Sequence, residues 1–311
     1  MVAHASAVQG MDPAQMTDAE SIDLLEQIFE HLVRYAPDSM KVLPSLATRW
    51  ERQADGRTWR FFLRKGVRFH DGTPMNADAV VYSFMRQRRN LRTKSGRLRF
   101  PYSNSYRNIV AIKKESTYVV RIVTDRPFAP LLANLAMFPA SIVSPKAFRA
   151  AEQGKPLRPV GTGPYRFVSR NPKTGRVNLE ANPSYWGAKP GVDRLVFVQI
   201  ANARQRLRAL QSGQVHIARN LPQEMLQLVR LHPDLRLAEM PALNVVYLAM
   251  NTENRPFHDP RIRQAVNHAI RKEPIIGLVF QDSAKPAVGP LPPSMTPYFT
   301  ANVRTYDHDP K

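Results

Sequence analysis

The side chains with the greatest capacity for chemistry in this 311-residue chain are its eight histidines, and it has no cysteine. No two histidines share a predicted helix at metal-ligand spacing, and neither a His-Glu-x-x-His nor a Gly-x-Ser-x-Gly sequence occurs. His70 precedes a turn aspartate, Asp71, which is typical of a hydrogen-bonded structural histidine. The absence of cysteine excludes disulfides, thiolate nucleophiles and iron–sulfur clusters. The sequence therefore predicts no enzymatic activity, no metal site and no cofactor.

A second motif that could bind a ligand is Gly161-Thr-Gly163-Pro-Tyr165, whose glycines are spaced like the start of a dinucleotide-binding loop. The third glycine of that loop is absent, and Pro164 stands where the helix would begin. No Gly-Lys-Ser/Thr follows, so a phosphate loop is excluded as well. The motif predicts a structural turn.

The elements that must position any site are clearest in residues 55–84. Trp59, Phe61 and Leu63 alternate along a predicted half-buried strand, and a turn at 71–74 follows. Asn76 then provides a cap for a helix with apolar residues at helical spacing. A short two-stranded element therefore leads into a helix.

The string WRFFLRKGVRFHDGTPMNADAVVYSF resembles the most recognisable segment of the family 5 extracellular solute-binding proteins. The similarity continues in PVGTGPYRF, in NLEANPSYWGAKPGVDRLVFVQIA and in LNVVYLAMNTENRPFHDPRIRQAVNHAI, and it ends with YDHDP. The resemblance covers nearly all of this chain but only part of a family member, because members continue well beyond the last of these segments.

The resemblance implies an α/β, two-lobed periplasmic-binding-protein (class II) fold. An extra α+β subdomain belongs to the first lobe, and the second lobe is incomplete. The implied division places the start of lobe 1 at 1–39, the extra subdomain at 40–155, the lobe 1 core at 156–243, and the hinge crossing with the beginning of lobe 2 at 244–311.

The alternation of elements after residue 195 independently predicts parallel strand pairing. Strands are expected at Leu195–Ile200, Val215–Ala218 and Leu235–Glu239, with helices at Ala203–Ser212 and Pro222–Leu231 between them. Val245–Met250 reads as a further, buried strand.

Candidate ligand contacts come from four places, one of which is the hinge crossing implied by the resemblance, at Asn244 and Tyr247. The resemblance places the backbone of 16–18 at the mouth of the cleft, although a plain helix cap explains the side chains there. It places two tyrosines in a loop near the ligand, with loop packing as the alternative. Positions just after a strand are where open sheets bind ligands. The predicted contacts are Met16, Thr17, Asp18, Tyr102, Tyr106, Arg219, Asn220, Asn244 and Tyr247.

The formal charge of +20 and the isoelectric point near 10.6 raise the alternative of a nucleic-acid or polyanion binder. The densest basic run, Arg86 to Arg99, has no interleaved aromatic residue for base stacking and reads as a solvated helix end and loop. A basic solvated surface is the preferred interpretation, and no nucleic-acid partner is expected.

The resemblance implies the substrate-binding component of an ABC importer. Such a protein captures a peptide or similar small solute between its lobes and delivers it to permease and ATPase subunits. It would be a monomer in the periplasm or on the extracellular side of the membrane, although residues 1–21 carry no signal peptide. The alternatives are a polyanion binder and an inactive truncated fragment, and the sequence leaves the identity of the solute open.

Overall fold

The computed structural model describes residues 1–88, 99–239, 243–280, 283–295, 298–300 and 302–309. The chain divides into two compact units. Unit 1 comprises Met1–Ala36 and Val42–Leu221, and unit 2 comprises Pro37–Lys41 and Pro222–Lys311. The finer boundaries expected from the sequence stay a prediction.

The elements are numbered in chain order. The strands are β1 Val2–His4, β2 Val33–Ala36, β3 Ser39–Pro44, β4 Ala47–Arg52, β5 Thr58–Leu63, β6 Ile109–Ser116, β7 Val119–Thr124, β8 Tyr165–Arg170, β9 Val177–Ala181, β10 Arg194–Gln199 and β11 Ile217–Ala218. The helices are α1 Ala19–Leu25, α2 Ala77–Arg88, α3 Leu131–Leu135, α4 Pro145–Glu152, α5 Ala203–Gln211, α6 Gln223–Arg230, α7 Pro260–Ala269 and α8 Lys272–Phe280.

A five-stranded mixed sheet forms the centre of unit 1, in the order β11-β1-β10-β9-β8. β1 pairs in parallel with both β10 and β11, while β9 pairs antiparallel with β10 and β8. The parallel pairing expected after residue 195 is therefore confirmed. The apolar residues of the sheet pack against Leu24 and Leu25 of α1 and against Ile28 just after it, all of which are buried.

An antiparallel sheet in the order β4-β5-β7-β6 also belongs to unit 1. In β5 the predicted alternation is confirmed, because Trp59, Phe61 and Leu63 are buried and the residues between them are partly exposed. The helix that follows packs on this sheet, and the Asn76 side chain accepts a hydrogen bond from the Ala79 amide at 3.2 Å. The mixed α/β class and the α+β character of this region are as expected.

The Gly161–Tyr165 turn packs on the segment that follows α1, at residues 27 and 28. The Gly163 amide donates to the Ile28 carbonyl at 2.9 Å, and the Gly161 carbonyl accepts from the His70 amide at 2.9 Å. The His70 Nε2 atom lies 3.0 Å from the Gly163 carbonyl oxygen. Both predictions for this region are confirmed: the glycine motif is a structural turn, and His70 is a hydrogen-bonded structural histidine.

A half-buried carboxylate fixes the same turn. Glu30 accepts hydrogen bonds from the Thr162 hydroxyl at 2.7 Å, the Tyr185 hydroxyl at 2.9 Å and the Trp186 indole at 2.8 Å. Burial raises the pKa of Glu30, and the three hydrogen bonds act in the opposite direction. Trp186 therefore helps to fix this turn, and the Arg64 guanidinium lies 4.2 Å from its ring centroid.

The basic run starts differently from the expected solvated helix end. Arg86 is 5% exposed, and its guanidinium donates to both carboxylate oxygens of Asp12 at 2.7 and 2.8 Å. The helical repeat places Arg86 on the buried face of α2, where a carboxylate compensates its charge. Arg88 is exposed, as expected, and residues 89–98 of the run lie outside the described part of the chain.

Unit 2 carries two further corrections. The predicted strands Leu235–Glu239 and Val245–Met250 are both irregular, and Val246, Tyr247 and Leu248 are 77%, 78% and 62% exposed. Apolar runs become strands only where a neighbour accepts their backbone hydrogen bonds, and no strand of the described residues pairs with either run. α7 is capped by Asp259, whose side chain accepts a hydrogen bond from the Arg261 amide at 2.8 Å.

Candidate functional site

Three parallel strands of unit 1 end at one edge of the five-stranded sheet, which we call the carboxyl edge. It is formed by the ends of β1, β10 and β11, at His4, Gln199 and Ala218. Two backbone bonds align the chain as it leaves these strands: the Arg219 amide donates to the Ala3 carbonyl, and the Ile200 amide donates to the His4 carbonyl, both at 2.9 Å. In open α/β sheets this edge is the usual position of ligands.

A charged network lies along the carboxyl edge. Asp23 of α1 pairs with the Nε2 atom of His4 at 3.2 Å and with the guanidinium of Arg219 at 3.1 Å. The His4 side chain is buried, whereas half of the Arg219 side chain, 52%, is exposed. The network therefore has a buried imidazole and a guanidinium that keeps hydrogen-bond donors available to solvent.

Glu26 adds a second carboxylate close to this network. Although Glu26 keeps contact with solvent, the surrounding chain removes part of its hydration and raises the pKa of its carboxyl group. The Asp23 carboxylate raises that pKa further, and Arg219 lowers it. The edge thus presents both signs of charge within hydrogen-bonding distance of one another, which suits a ligand with separated charged groups.

Two predicted contacts, Arg219 and Asn220, lie at the carboxyl edge, and both are exposed. Asn220 has a positive φ of 54°, a conformation that asparagine tolerates better than most residues. His4, Asp23 and Glu26 were missed by the sequence reasoning. A three-residue strand gives almost no periodic signal, and the partners of Asp23 are distant in the sequence.

The predicted contacts at 16–18 precede α1 and belong to the same unit. Asp18 caps the helix by accepting a hydrogen bond from the Ser21 amide at 2.8 Å, so the predicted cap is confirmed. Met16 is half-buried against the sheet core, and Thr17 is exposed. Their contact with a ligand stays a prediction.

The two predicted tyrosines occupy different environments. Tyr106 is 4% exposed, its ring packs edge-on against Phe84, and its hydroxyl lies 3.4 Å from the Asn134 carbonyl oxygen. Tyr102 is half-buried and packs edge-on against Phe138, with 5.0 Å between ring centroids. Loop packing, the alternative considered for both, describes Tyr106 well, and only Tyr102 keeps a surface that a solute could reach.

The remaining predicted contacts, Asn244 and Tyr247, belong to unit 2. Both are exposed and lie in an irregular segment. Their participation in binding stays a prediction.

Side chains capable of acid–base chemistry also occur in the interior. The Ser141 hydroxyl lies 3.2 Å from His31 Nε2 but also donates to the Phe138 carbonyl, and both residues are buried. Burial lowers the pKa of His31 to about 4.

Among the described residues, no three His, Asp or Glu side chains form a metal-binding group. Every helix in the described ranges is too short or too polar to cross a bilayer.

The lowered pKa of His31 predicts a loss of stability in mild acid. Between the ordinary pKa of 6.5 and the folded value of about 4, the unfolded chain binds a proton that the folded chain does not. Stability from this residue is therefore complete above pH 6.5 and falls as the pH decreases toward 4. We expect His31→Gln to remove about 2 kcal/mol of the stability difference between pH 7 and pH 5.

Urea denaturation followed by tryptophan fluorescence measures this difference, because Trp50, Trp59 and Trp186 all lie in unit 1. The exposed His216 is the matched control, and His216→Gln should leave the difference between the two pH values nearly intact. Equal pH dependence in wild type and His31→Gln would contradict the prediction.

Comparison with known proteins gives a consistent assignment. Residues 41–311 match the family described as bacterial extracellular solute-binding proteins, family 5 Middle. The chain is 35% identical to Di/tripeptide-binding protein 2 of Pseudomonas aeruginosa (strain UCBPP-PA14) over 98% of its own length and 60% of that relative. It is 33% identical to the dipeptide-binding protein of Escherichia coli (strain K12), over 97% and 59% of the two chains.

A solved structure supports the same fold. The periplasmic binding protein DppA from Helicobacter pylori, in complex with the peptide STSA, matches with a TM-score of 0.83 and 29% identity. The match covers 99% of this chain and 63% of the solved one. The periplasmic-binding-protein fold expected from the sequence is therefore confirmed. The chain spans about 60% of the length of the curated relatives it matches, which agrees with the expected incomplete second lobe.

Proposed function

Because this chain belongs to the family 5 bacterial extracellular solute-binding proteins, we propose that it is the substrate-binding component of an ABC importer. In this proposal it captures a peptide or a similarly small, charged solute and releases it unchanged to a membrane permease. Capture is a population shift toward the ligand-bound conformation, and the energy for transport comes from separate ATPase subunits.

The observation that carries the proposal is the carboxyl edge. It offers the exposed Arg219 guanidinium beside the carboxylates of Asp23 and Glu26, in a chain 35% identical to a di/tripeptide-binding protein. A peptide has a terminal ammonium and a terminal carboxylate, and groups of both signs at this edge complement them. The residues proposed to contact the solute from unit 1 are Met16, Thr17, Asp18, Tyr102, Arg219 and Asn220.

The working environment in this proposal is the periplasm or the extracellular face of the membrane, and the protein acts as a monomer until it meets the permease. The high positive charge is then a property of a solvated surface. No nucleic acid takes part.

Calorimetry with a panel of dipeptides, tripeptides and glutathione tests the proposal directly. We expect saturable binding of at least one peptide that persists when the salt concentration is raised. A parallel salt series with duplex DNA tests the polyanion alternative, whose affinity would fall steeply with salt. If no peptide binds and DNA does, the proposal fails.

Replacement of Arg219 gives a residue-level prediction. In Arg219→Ala the solute loses a charge-assisted hydrogen bond, and we expect its affinity to fall about tenfold or more. Stability should change little, because the Arg219–Asp23 pair is partly exposed and such pairs contribute about 0–1 kcal/mol. Arg208→Ala, at an exposed position of α5, is the control and should bind like wild type. Equal affinities for all three proteins would exclude Arg219 from the site.

A further inference from the structure

One arginine of unit 1 lies underneath the carboxyl edge and does not reach its surface. Arg206, in α5, is 2% exposed. It is the largest fully buried side chain of the described residues. Burial lowers the pKa of its guanidinium, in agreement with its removal from water.

Within the described part of the chain, the guanidinium of Arg206 binds only backbone carbonyl oxygens. Its Nη1 donates to Ile200 at 2.6 Å and to Ala201 at 3.1 Å, directly after β10. Its Nε donates to Arg219 at 3.0 Å and its Nη2 to Asn220 at 2.7 Å, directly after β11. One side chain therefore joins the segments that leave β10 and β11, the two strands that flank β1 at this edge.

The chemistry of these bonds requires an arginine. Four carbonyl oxygens in two directions match the planar fork of the guanidinium, whereas an ammonium is a compact charge with three donors. No carboxylate of the described residues forms an ion pair with Arg206, so the carbonyl dipoles alone compensate its buried charge. Loss of the fork leaves four carbonyls without that donor and releases both segments.

We propose that Arg206 is a positioning residue for solute recognition: it fixes the Arg219–Asn220 segment, including the positive φ of Asn220, in the conformation that presents both side chains at the carboxyl edge. This inference rests on the proposed function for the identity of the contacts. The structural part, that one buried guanidinium holds the segment, stands on the four bonds.

Amide hydrogen exchange of the whole chain tests the structural part without any solute. The variant Arg206→Lys keeps the charge and most of the side chain, so it is milder than Arg206→Ala. The Arg219 and Ile200 amides, which donate to β1, should exchange at least about tenfold faster in the variant, as expected for local opening. The Leu63 amide, bonded to the Tyr118 carbonyl in the other sheet, is the internal reference and should be unchanged.

Arg208→Lys, on the exposed side of the same helix, is the matched control and should exchange like wild type at all three amides. Unchanged exchange at Arg219 and Ile200 in Arg206→Lys would overturn the inference. Equal acceleration at Leu63 would also overturn it, because Arg206 would then serve only global stability.

Calorimetry with a peptide that wild type binds tests the functional part. We expect Arg206→Lys to bind that peptide at least about tenfold more weakly although Arg206 touches no solute. Wild-type affinity in Arg206→Lys would overturn the positioning role. If wild type itself binds no peptide, the proposed function fails, while the exchange experiment still decides whether Arg206 holds the segment.

Discussion

Asp12→Asn should lower the free energy of unfolding of unit 1 by about 3–5 kcal/mol, because it leaves the buried Arg86 guanidinium without its counter-charge. The two side chains are 5% and 7% exposed and share two hydrogen bonds of 2.7 and 2.8 Å. Asparagine has nearly the same volume as aspartate, so packing is preserved and the lost charge dominates. The guanidinium lies 4.7 Å from the Phe148 ring centroid, and an aromatic face compensates only a small part of a full charge.

The comparison that isolates burial is the ion pair between Lys114 and Asp78. The Lys114 Nζ atom lies 2.7 Å from an Asp78 carboxylate oxygen, as close as in the buried pair. The Lys114 side chain is 44% exposed, however, and the Asp78 side chain is 60% exposed. We expect Asp78→Asn to cost about 0–1 kcal/mol. Both variants are measured by urea denaturation with tryptophan fluorescence. Similar losses in the two variants would refute the prediction, as would a gain in stability in Asp12→Asn.

A second variant separates charge from contact. Replacing Arg86 by methionine in the Asp12→Asn background removes the unpaired cation and keeps an unbranched apolar stem beside Phe148. Buried ion pairs replaced by apolar residues often lose little stability, so the double variant should regain part of what Asp12→Asn loses.

Patterns local in the sequence predicted local structure well. The alternation around Phe61, the cap at Asp18 and the turn at Gly161–Tyr165 each depend on a few neighbouring residues, and each is confirmed. The apolar runs at 235–239 and 245–250 were read as strands by the same reasoning. They are irregular because pairing is a property of a sheet, and the described residues supply no partner strand.

The candidate site was predictable only where topology determines it. Arg219 and Asn220 follow a strand that lies parallel to its neighbour, so the rule for open sheets was sufficient to find them. Asp23 pairs with His4 and with Arg219, which lies 196 positions away, and no local pattern encodes such a contact. In the sequence Arg206 looks like one more exposed cation on a basic helix. The sequence does not show that backbone carbonyls accept the hydrogen bonds of its guanidinium. Tyr106 was predicted as a ligand contact because a tyrosine in a loop suits that role, but its side chain is buried like a core residue.

Gly161→Ala should destabilise the fold almost as much as the loss of Asp12, because the turn has no room for a methyl group against the segment that follows α1. A Cβ atom at 161 would overlap the Ile28 carbonyl oxygen and lie 2.8 Å from the Phe29 ring. The neighbours cannot retreat, since the same carbonyl accepts the Gly163 amide at 2.9 Å and Glu30 holds Thr162 at 2.7 Å. Overpacking of this kind costs about 1–3 kcal/mol and more where backbone must move, so we expect a loss of about 3 kcal/mol.

The matched control is Gly191→Ala, because no heavy atom lies within 4 Å of a Cβ built at Gly191 and its φ is not positive. Restricting the unfolded chain there should leave stability unchanged or raise it by about 0.4–1 kcal/mol. Urea denaturation gives both values, and equal effects at the two glycines would contradict the steric argument. The turn also binds two of the three His70 nitrogens, the backbone amide and Nε2. Gly161→Ala should therefore accelerate exchange of the His70 amide more than that of Leu63, which links the clash to this turn and not to general unfolding.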